Sequence, residues 1–252
     1  MKKRGMTVAR IGLIAICMLG VQAVGCNVKP QETMKTESVE SNKDQMPKFS
    51  MDDFELSDPI SVVSVEVRTK DGLGKSTASG VILTVDEKGV QIATAGHALG
   101  GMEKSDVLSV IIGDESVICK NSIALEEADL AFLSVLWEDF SPKALETLIL
   151  EEVHTDKSCF DALQNGAEVT AKGYHNGALA EYCGTLSDMA VFVEDFEQNM
   201  LLIRCEAYPG MSGGGVYDAE GHFMGIICGI DEEGTVACVP WHVIEERLRT
   251  YY

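Results

Sequence analysis

Short β-rich segments recur from residue 61 to residue 239, with turn residues between them, and this pattern limits the possible folds most strongly. Runs of about 4–8 β-branched and apolar residues bounded by Gly, Pro, Asn or Asp are typical of strands. The runs form two groups, and a less regular stretch after Pro142 separates them. The predicted strands cover residues 61–68, 80–85, 90–94, 107–112, 116–119 and 130–135, then 168–172, 181–186, 200–205, 214–217, 223–228 and 235–239.

The carboxyl terminus has a helical pattern instead. Pro240 stands where a helix can begin, and Trp241, Ile244 and Leu248 repeat at helical spacing with charged residues between them. The sequence therefore predicts an all-β fold of two six-stranded β-barrels, approximately residues 55–140 and 160–240, followed by a C-terminal helix.

Acidic residues outnumber basic ones two to one, with 40 Asp and Glu against 20 Lys and Arg and a net charge of −20. Four of the basic residues lie in the first 25 positions, which contain no acid, so the rest of the chain is more acidic still. A surface with this charge repels phosphate backbones, which argues against nucleic-acid binding.

The first 25 residues have the pattern of an export signal. A cationic start at residues 2–4 precedes an apolar run at residues 11–20 that is short for a membrane span. Small residues before Cys26 resemble the lipobox of bacterial lipoproteins, in which the cysteine is diacylated and becomes the new amino terminus. There are two alternatives: an ordinary cleaved signal in which Cys26 has no role, or an uncleaved anchor.

Residues 26–50 are polar and lack periodicity, so they cannot bury enough apolar surface to fold. They predict a flexible tether between lipidated Cys26 and a folded domain at residues 51–252. Because two acyl chains anchor a protein stably, we expect a lipid-anchored protein that faces the extracytoplasmic side of the cell membrane.

Three segments carry residues suited to nucleophilic catalysis. His97 ends the segment Thr-Ala-Gly-His after an apolar strand, Asp129 immediately precedes another, and Ser212 is the serine of Gly-Met-Ser-Gly-Gly. Glycines allow a sharp turn to present the serine and allow successive N–H groups to face an oxyanion. Each segment alone has a plainer interpretation, as a structural histidine, a turn cap or a hairpin turn.

The three segments are more specific together, because His97, Asp129 and Ser212 follow one another in the order of chymotrypsin. His97 and Asp129 belong to the first group of strands and Ser212 to the second. The predicted cleft therefore lies between the two barrels, a common place for a ligand site.

Residues 60–245 resemble a trypsin-like (chymotrypsin-fold) serine protease of the bacterial HtrA type. The resemblance rests on the three segments, on residues 225–229 and on the Ala-Cys-Val-Pro segment that ends at Pro240. It implies a serine endopeptidase that acts on proteins or peptides and uses no metal or cofactor.

The resemblance also assigns roles to individual residues. Ser212 would attack the peptide carbonyl, His97 would take and return the proton, and Asp129 would orient His97. The backbone N–H groups of Gly210 and Ser212 would form the oxyanion hole.

Two departures from the family pattern matter. Met211 stands where the family has Asp or Asn, and methionine cannot accept the ion pair that animal trypsins make with a newly cut amino terminus. We therefore expect no zymogen control by that route, and we expect another contact to shape the oxyanion loop. Since the sequence ends at Tyr252, we also expect no PDZ domain.

The primary specificity pocket leaves two interpretations open. Glu206 lies six residues before Ser212, the offset of the pocket aspartate of trypsins, and would select Arg or Lys there. HtrA-type proteins build this loop differently, however, and an unpaired carboxylate in a closed pocket is costly. We favour Glu206 at the rim or paired with Arg204, and a pocket beside Cys228 and Gly229 for a small or medium aliphatic residue.

Six cysteines remain in the domain beyond Cys17 and Cys26, at positions 119, 159, 183, 205, 228 and 238. They could form three disulfides or be small buried thiols. We favour buried thiols for Cys228 and Cys238, which a simple hairpin register puts on opposite faces. No metal site is predicted, because His242 and Glu245 on the last helix lack a third ligand.

Two rival functions remain at the level of the sequence. One is an inactive protease homologue that serves as a lipid-anchored protein-binding module, which Met211 favours. The other is an adhesin or scaffold at the membrane, which only the predicted anchor and the acidic composition support.

Overall fold

The computed structural model describes residues 8–9, 14–15, 59–72 and 75–251. The predicted export signal, Cys26 and the tether of residues 26–50 lie outside these residues, apart from two short backbone pairings at Val8–Ala9 and Ile14–Ala15. In the described part of the chain, no helix combines the length and the apolar character that crossing a membrane requires.

Seven antiparallel strands form the first half of the fold. Across the sheet their order is β5-β4-β1-β2-β3-β7-β6, and the described edges β5 and β6 do not pair with each other. One strand, β6, was not predicted. It lies between the predicted strands of residues 116–119 and 130–135, and its sequence Asn-Ser-Ile-Ala-Leu is partly polar and mostly exposed at the edge of the sheet. The strands are β1 (Val62–Arg68), β2 (Lys75–Val85), β3 (Gly89–Ala95), β4 (Val107–Ile112), β5 (Glu115–Ile118), β6 (Asn121–Leu125) and β7 (Leu130–Leu136).

Six strands form the second half, and their ladder closes into a barrel. The order is β9-β8-β11-β12-β13-β10, and β10 pairs with β9 to complete the ring. Register shifts between Leu186 and Val191 bend the long strand β9, which lets it pair along both of its edges. The strands are β8 (Glu168–His175), β9 (Ala178–Val193), β10 (Gln198–Arg204), β11 (Gly215–Asp218), β12 (Phe223–Ile230) and β13 (Thr235–Pro240).

Buried apolar residues form three clusters, one of which joins the two halves. One fills the first half, one fills the second, and the third contains residues of both halves, including Phe132, Met200 and Trp241. The shared cluster packs the two halves against each other and so fixes the cleft between them. The predicted all-β, two-barrel fold with a C-terminal helix is thus confirmed, with the first half as an open, seven-stranded sheet.

The described residues contain three α-helices, two more than the sequence predicted: α1 (Pro142–Thr147), α2 (Lys157–Ala162) and α3 (Trp241–Tyr251). The short helices α1 and α2 occupy the stretch that was expected to be irregular. Both begin at a capping side chain, since Ser141 accepts the N–H of Ala144 and Asp156 accepts that of Cys159. Six residues are too few for a helical repeat to show in the sequence.

Candidate active site

His97 lies in a single 3-10 turn, Gly96–Leu99, directly after β3. A side chain on Gly96 would place its Cβ 2.8 Å from the backbone nitrogen of Leu130, so only glycine fits here. This close approach brings the end of β3 against the start of β7. His97 therefore lies beside the residue that precedes β7, Asp129.

Asp129 holds His97 through two contacts. Its Oδ1 accepts the backbone N–H of His97 at 2.7 Å, and its Oδ2 lies 2.9 Å from the Nδ1 of the ring. Asp129 has a left-handed backbone with φ of 45°, which ends the short turn before it, and Asp tolerates this conformation better than most residues. Gln198 of the second half supports the turn by donating to the carbonyl of Ala128 at 2.9 Å.

Ser212 faces His97 across the cleft. Its Oγ lies 3.0 Å from the Nε2 of His97. Gly210 and Gly213 on either side have φ of 99° and 82°, which strongly favour glycine. A Cβ on Gly213 would also lie 2.1 Å from the carbonyl oxygen of Ser79. The glycines of the motif thus produce the turn that presents Ser212.

Together the three side chains form one hydrogen-bonded series, the proton path, in which a proton can move between Ser212 and His97 while Asp129 contacts the other side of the ring. With a proton on Nδ1, His97 donates to Asp129 and can accept the Ser212 hydroxyl through Nε2. Asp129 is 8 % exposed and Ser212 has no exposed surface, so the path has little contact with water. Electrostatic interactions are strong in such surroundings, and the arrangement can take a proton from Ser212 and stabilise the resulting imidazolium.

Ser79 on β2 holds the serine turn from the opposite half, and sequence reasoning missed it. Its Oγ donates to the carbonyl of Gly210 at 2.8 Å and accepts the N–H of Tyr174 at 2.7 Å. Its own N–H donates to the carbonyl of Ser212 at 2.7 Å. No sequence signal marks Ser79, because its partners are up to 133 positions away in the chain.

The backbone N–H groups of Gly210 and Ser212 differ in their hydrogen bonding from the carbonyls of the same two residues. The carbonyls are bonded to Ser79, whereas among residues 59–72 and 75–251 neither N–H donates to a backbone carbonyl. These two donors are therefore available to a developing negative charge.

Met211 is packed in the core of the second barrel. Its side chain has no exposed surface and belongs to the same cluster as Ile203, Val216 and Met224. Apolar packing at Met211 and the Ser79 bonds therefore both hold the turn that contains Ser212.

Cys228 and Gly229 occupy β12, next to the serine turn. The thiol of Cys228 is completely buried and lies 3.8 Å from the backbone carbonyl of Asp129. Burial raises the pKa of this thiol well above its usual range, and the charge of Asp129 is a second, smaller cause. Cys228 therefore lies behind Asp129 as a neutral thiol, and the backbones of Gly229 and Ile230 lie at the adjoining sheet edge.

Glu206 lies at an open cavity of about 490 Å³. Its carboxylate is exposed and accepts a hydrogen bond from the hydroxyl of Tyr208 at 3.0 Å. Other residues on the cavity wall include Cys205, Ala207 and Ile230. Burial raises the pKa of the Cys205 thiol to about 12, and the negative charge of Glu206 is a second, smaller cause.

All six cysteines of the described domain are free thiols. Cys228 and Cys238 are both fully buried and pack into different clusters. They are therefore buried thiols on opposite faces of the β12–β13 hairpin, as the sequence predicted.

Comparisons with known proteins agree with this architecture. The family model described as a trypsin-like peptidase domain matches residues 78–226, more than half of the chain and all three residues of the proton path. No curated protein sequence matches the chain.

Solved structures share the fold at low sequence identity. The Rv3671c protease from M. tuberculosis in its active form is 18% identical over 75% of this chain and 79% of its own, with a TM-score of 0.60. The HtrA-type protease AlgWS227A with tripeptide is 18% identical over 75% of this chain and 59% of its own, also with a TM-score of 0.60. The inactive form of the Rv3671c protease is 19% identical over 75% of this chain and 88% of its own, with a TM-score of 0.54. The domain match and the two-barrel architecture show that this chain belongs to the family of trypsin-like peptidase domains.

Proposed function

We propose that this protein is a serine endopeptidase that cleaves peptide bonds with Ser212 as nucleophile, His97 as general base and acid, and Asp129 as the residue that orients His97. The observation that carries the proposal is the hydrogen-bonded series from Asp129 through both ring nitrogens of His97 to the Ser212 hydroxyl, with each contact between 2.9 and 3.0 Å. Nucleophile, base and orienting residue within hydrogen-bond reach are the signature of an activated serine.

The chemistry proceeds in two halves. Ser212 Oγ attacks the peptide carbonyl carbon while its proton passes to the Nε2 of His97. The C–N bond then breaks, and His97 returns that proton to the departing amine, leaving an acyl-enzyme ester. Water attacks the ester with His97 again as base, which releases the carboxylic acid product and restores the Ser212 hydroxyl.

The carbonyl oxygen gains negative charge in both halves. The N–H groups of Gly210 and Ser212 would donate to it, and a donor of this type contributes about 3 kcal/mol to the transition state. The carbonyls that share peptide groups with these two donors support this assignment. That of Pro209 lies 3.1 Å from the Nδ1 of His175, and that of Met211 accepts the N–H of Gly214 at 2.8 Å, so both peptide groups are held before substrate binds.

An extended substrate would bind along the edge of β12. This edge already pairs with a chain segment, since Gly229 and Ile230 lie opposite Ala15 and Ile14 in an antiparallel register. An edge that accepts one extended segment can accept another through the same backbone groups. If the signal is removed before Cys26, as the sequence predicts, the edge becomes available to substrate.

For the residue before the scissile bond, we favour a small or medium aliphatic side chain. The exposed carboxylate of Glu206 and its bond to Tyr208 support a position at the rim of the cavity. A peptide library should show cleavage after aliphatic residues, unchanged by Glu206→Gln. Cleavage confined to Arg and Lys, and abolished by Glu206→Gln, would overturn this preference.

A fluorophosphonate probe tests the activity, because it labels only a serine with a working base and oxyanion hole. The wild-type protein should be labelled and should hydrolyse casein, whereas Ser212→Ala and His97→Ala should lose both properties. The double variant should be little worse than either single one, because residues that act as a unit are not additive. His154→Ala, at an exposed histidine, is the matched control and should remain active. Activity that survives Ser212→Ala would exclude the proposed mechanism.

We also propose that diacylated Cys26 anchors the protein to the extracytoplasmic side of the cell membrane. Cys26→Ser should release the protein from the membrane fraction or leave its precursor uncleaved. If membrane partition and mass both stay unchanged, the anchor is an uncleaved helix instead.

A further inference from the structure

A cluster of metal-binding side chains lies apart from the proton path, where α2 meets the hairpin of β11 and β12. Asp156 and Cys159 come from the first turn of α2, and His222 comes from the hairpin. One ligand atom from each lies within 4.8 Å of the others. Asp218 and Glu220, also in the hairpin, form a second such group with His222. The two groups share His222 and so lie side by side.

Asp218 fixes the orientation of His222. Its Oδ2 lies 3.0 Å from the Nδ1 of His222, and its side chain is only 2% exposed. Its Oδ1 accepts the backbone N–H groups of Glu220 and His222 at 3.0 and 2.8 Å. A hydrogen bond at Nδ1 leaves Nε2 as the ring nitrogen for a metal, and a carboxylate behind a histidine is the usual support of a zinc-binding imidazole.

The helix supplies the other two donors. Asp156 caps α2 with its Oδ1, which accepts the N–H of Cys159 at 2.9 Å and the hydroxyl of Ser158 at 2.6 Å. These bonds hold the carboxylate in place and do not use its Oδ2. Cys159 follows three positions later, on the same side of the first turn. Its thiol is half-buried, within reach of solvent and of an incoming ion.

The donor types distinguish among cations. Calcium and magnesium prefer all-oxygen sites, whereas a thiolate, an imidazole and a carboxylate together suit zinc. The charge of the cluster also favours a divalent cation, because the carboxylates of Asp156, Asp218 and Glu220 face one histidine.

We propose that Asp156, Cys159 and His222 bind a zinc ion, that Asp218 positions His222, and that Glu220 or water completes the coordination. The ion would join α2, in the connection between the two halves, to the hairpin that begins three residues after Ser212. The sequence analysis predicted no metal site. It did not consider these residues together, because Cys159 and His222 lie 63 positions apart and form no motif. The site does not depend on the proposed peptidase activity.

The test uses the full chain, purified in detergent and stripped of metal with EDTA. Titration should show one zinc bound per chain, and cobalt in place of zinc should give a thiolate-to-metal charge-transfer absorption band. Zinc at a hundred-fold excess over its Kd should raise Tm by about 5–10 °C.

Variants locate the site. Cys159→Ser and His222→Gln should lose the zinc and the Tm shift, and Asp218→Asn should weaken zinc binding about 10- to 100-fold. Cys183→Ser replaces an exposed thiol on β9, away from the site, and should bind zinc like the wild type.

Either of two results would overturn the proposal: a wild-type cobalt complex without a thiolate band, or unchanged zinc binding by Cys159→Ser. If the site variants fail to fold, the wild-type cobalt spectrum decides the question, with Cys183→Ser showing that the thiolate is not Cys183. His97→Ala should keep the zinc, and its retention separates this site from any failure of the proposed peptidase.

Discussion

Asp129 contacts both the backbone N–H and the ring of His97, and the contact at Nδ1 selects the tautomer of the ring. The carboxylate accepts from Nδ1, so Nε2 is the nitrogen left to take a proton from Ser212. An amide at the same position could instead donate to Nδ1. The other tautomer would then be favoured, with Nε2 protonated and unable to act as base.

Asp129→Asn should therefore lower kcat by about 10⁴-fold, with a much smaller change in KM. The rate of hydrolysis of a peptide substrate, compared with the wild type, measures the effect. Asp139→Asn, at a carboxylate that pairs with Lys120, is the control and should change kcat by less than about twofold. A drop of under tenfold in Asp129→Asn would argue against the orienting role.

Ser79 acts on the site without touching the reacting atoms. Its hydroxyl connects the carbonyl of Gly210 to the N–H of Tyr174, and both bonds are buried or half-buried. Removing the hydroxyl leaves a buried acceptor and a donor without partners, which costs about 1–3 kcal/mol for each group.

Ser79→Ala should thus destabilise the protein and loosen the serine turn. We expect kcat to fall about 10- to 100-fold, since small displacements of reacting groups have effects of this size. Denaturant unfolding gives the loss of stability, and fluorophosphonate labelling rates report the geometry of the turn. Ser109→Ala, at another buried serine of the first half, should leave the labelling rate unchanged. Equal labelling rates for both variants would show that Ser79 does not position the turn.

The side chain of Met211 joins the serine turn to the core of the second barrel. The adjacent Gly173 leaves room for it, because a Cβ there would lie 3.1 Å from the Cβ of Met211. The family usually has Asp or Asn at this position, and the sequence alone made Met211 the main argument for an inactive homologue. Its burial supports a different interpretation, in which apolar packing replaces a polar contact.

Exchanges at Met211 separate the two interpretations. Met211→Leu conserves volume and should cost less than about 1.5 kcal/mol in the free energy of unfolding, with activity retained. Met211→Asp buries a carboxylate among apolar groups and should cost more than about 3 kcal/mol, with activity lost. Chemical denaturation and casein hydrolysis measure both effects. A gain of stability or activity in Met211→Asp would show that the turn needs a polar residue.

The elements themselves were predictable to different degrees. Strands with continuous apolar runs were recognised, and β4 has the predicted bounds of residues 107–112. Edge strand β6 and helices α1 and α2 were missed, because β6 is half polar and the helices have only six residues each. Such elements depend on capping side chains and on their neighbours more than on their own periodicity.

On the scale of the whole molecule, the net charge of −20 is the dominant electrostatic property. Several ion pairs lie on the described surface, including Lys157 with Asp161 and Arg249 with Glu245. Such exposed pairs contribute little to stability. The excess carboxylates repel one another in the folded protein, and this repulsion destabilises it.

Added salt should therefore stabilise the protein. Raising the NaCl concentration from about 0.01 M to about 1 M shortens the screening length from roughly 30 Å to roughly 3 Å. We expect Tm at pH 7 to rise by about 2–5 °C, as measured by circular dichroism. Near pH 4.5, the pI of the sequence, the same change should have almost no effect. A lower Tm in high salt at pH 7 would show that attractive ion pairs dominate instead.

The two-barrel class followed from the sequence, because strand runs and glycine-rich turns are local patterns. Such patterns also singled out His97, Asp129 and Ser212, whose side chains the structure brings within hydrogen-bond distance of one another. Local chemistry also indicated that Cys228 and Cys238 would be buried thiols. Only the tertiary structure brought Ser79 and Gln198 to the site, buried Met211 and placed His222 beside Cys159. These contacts join positions dozens of residues apart, and packing between elements creates them, so no segment of the chain carries their signal by itself.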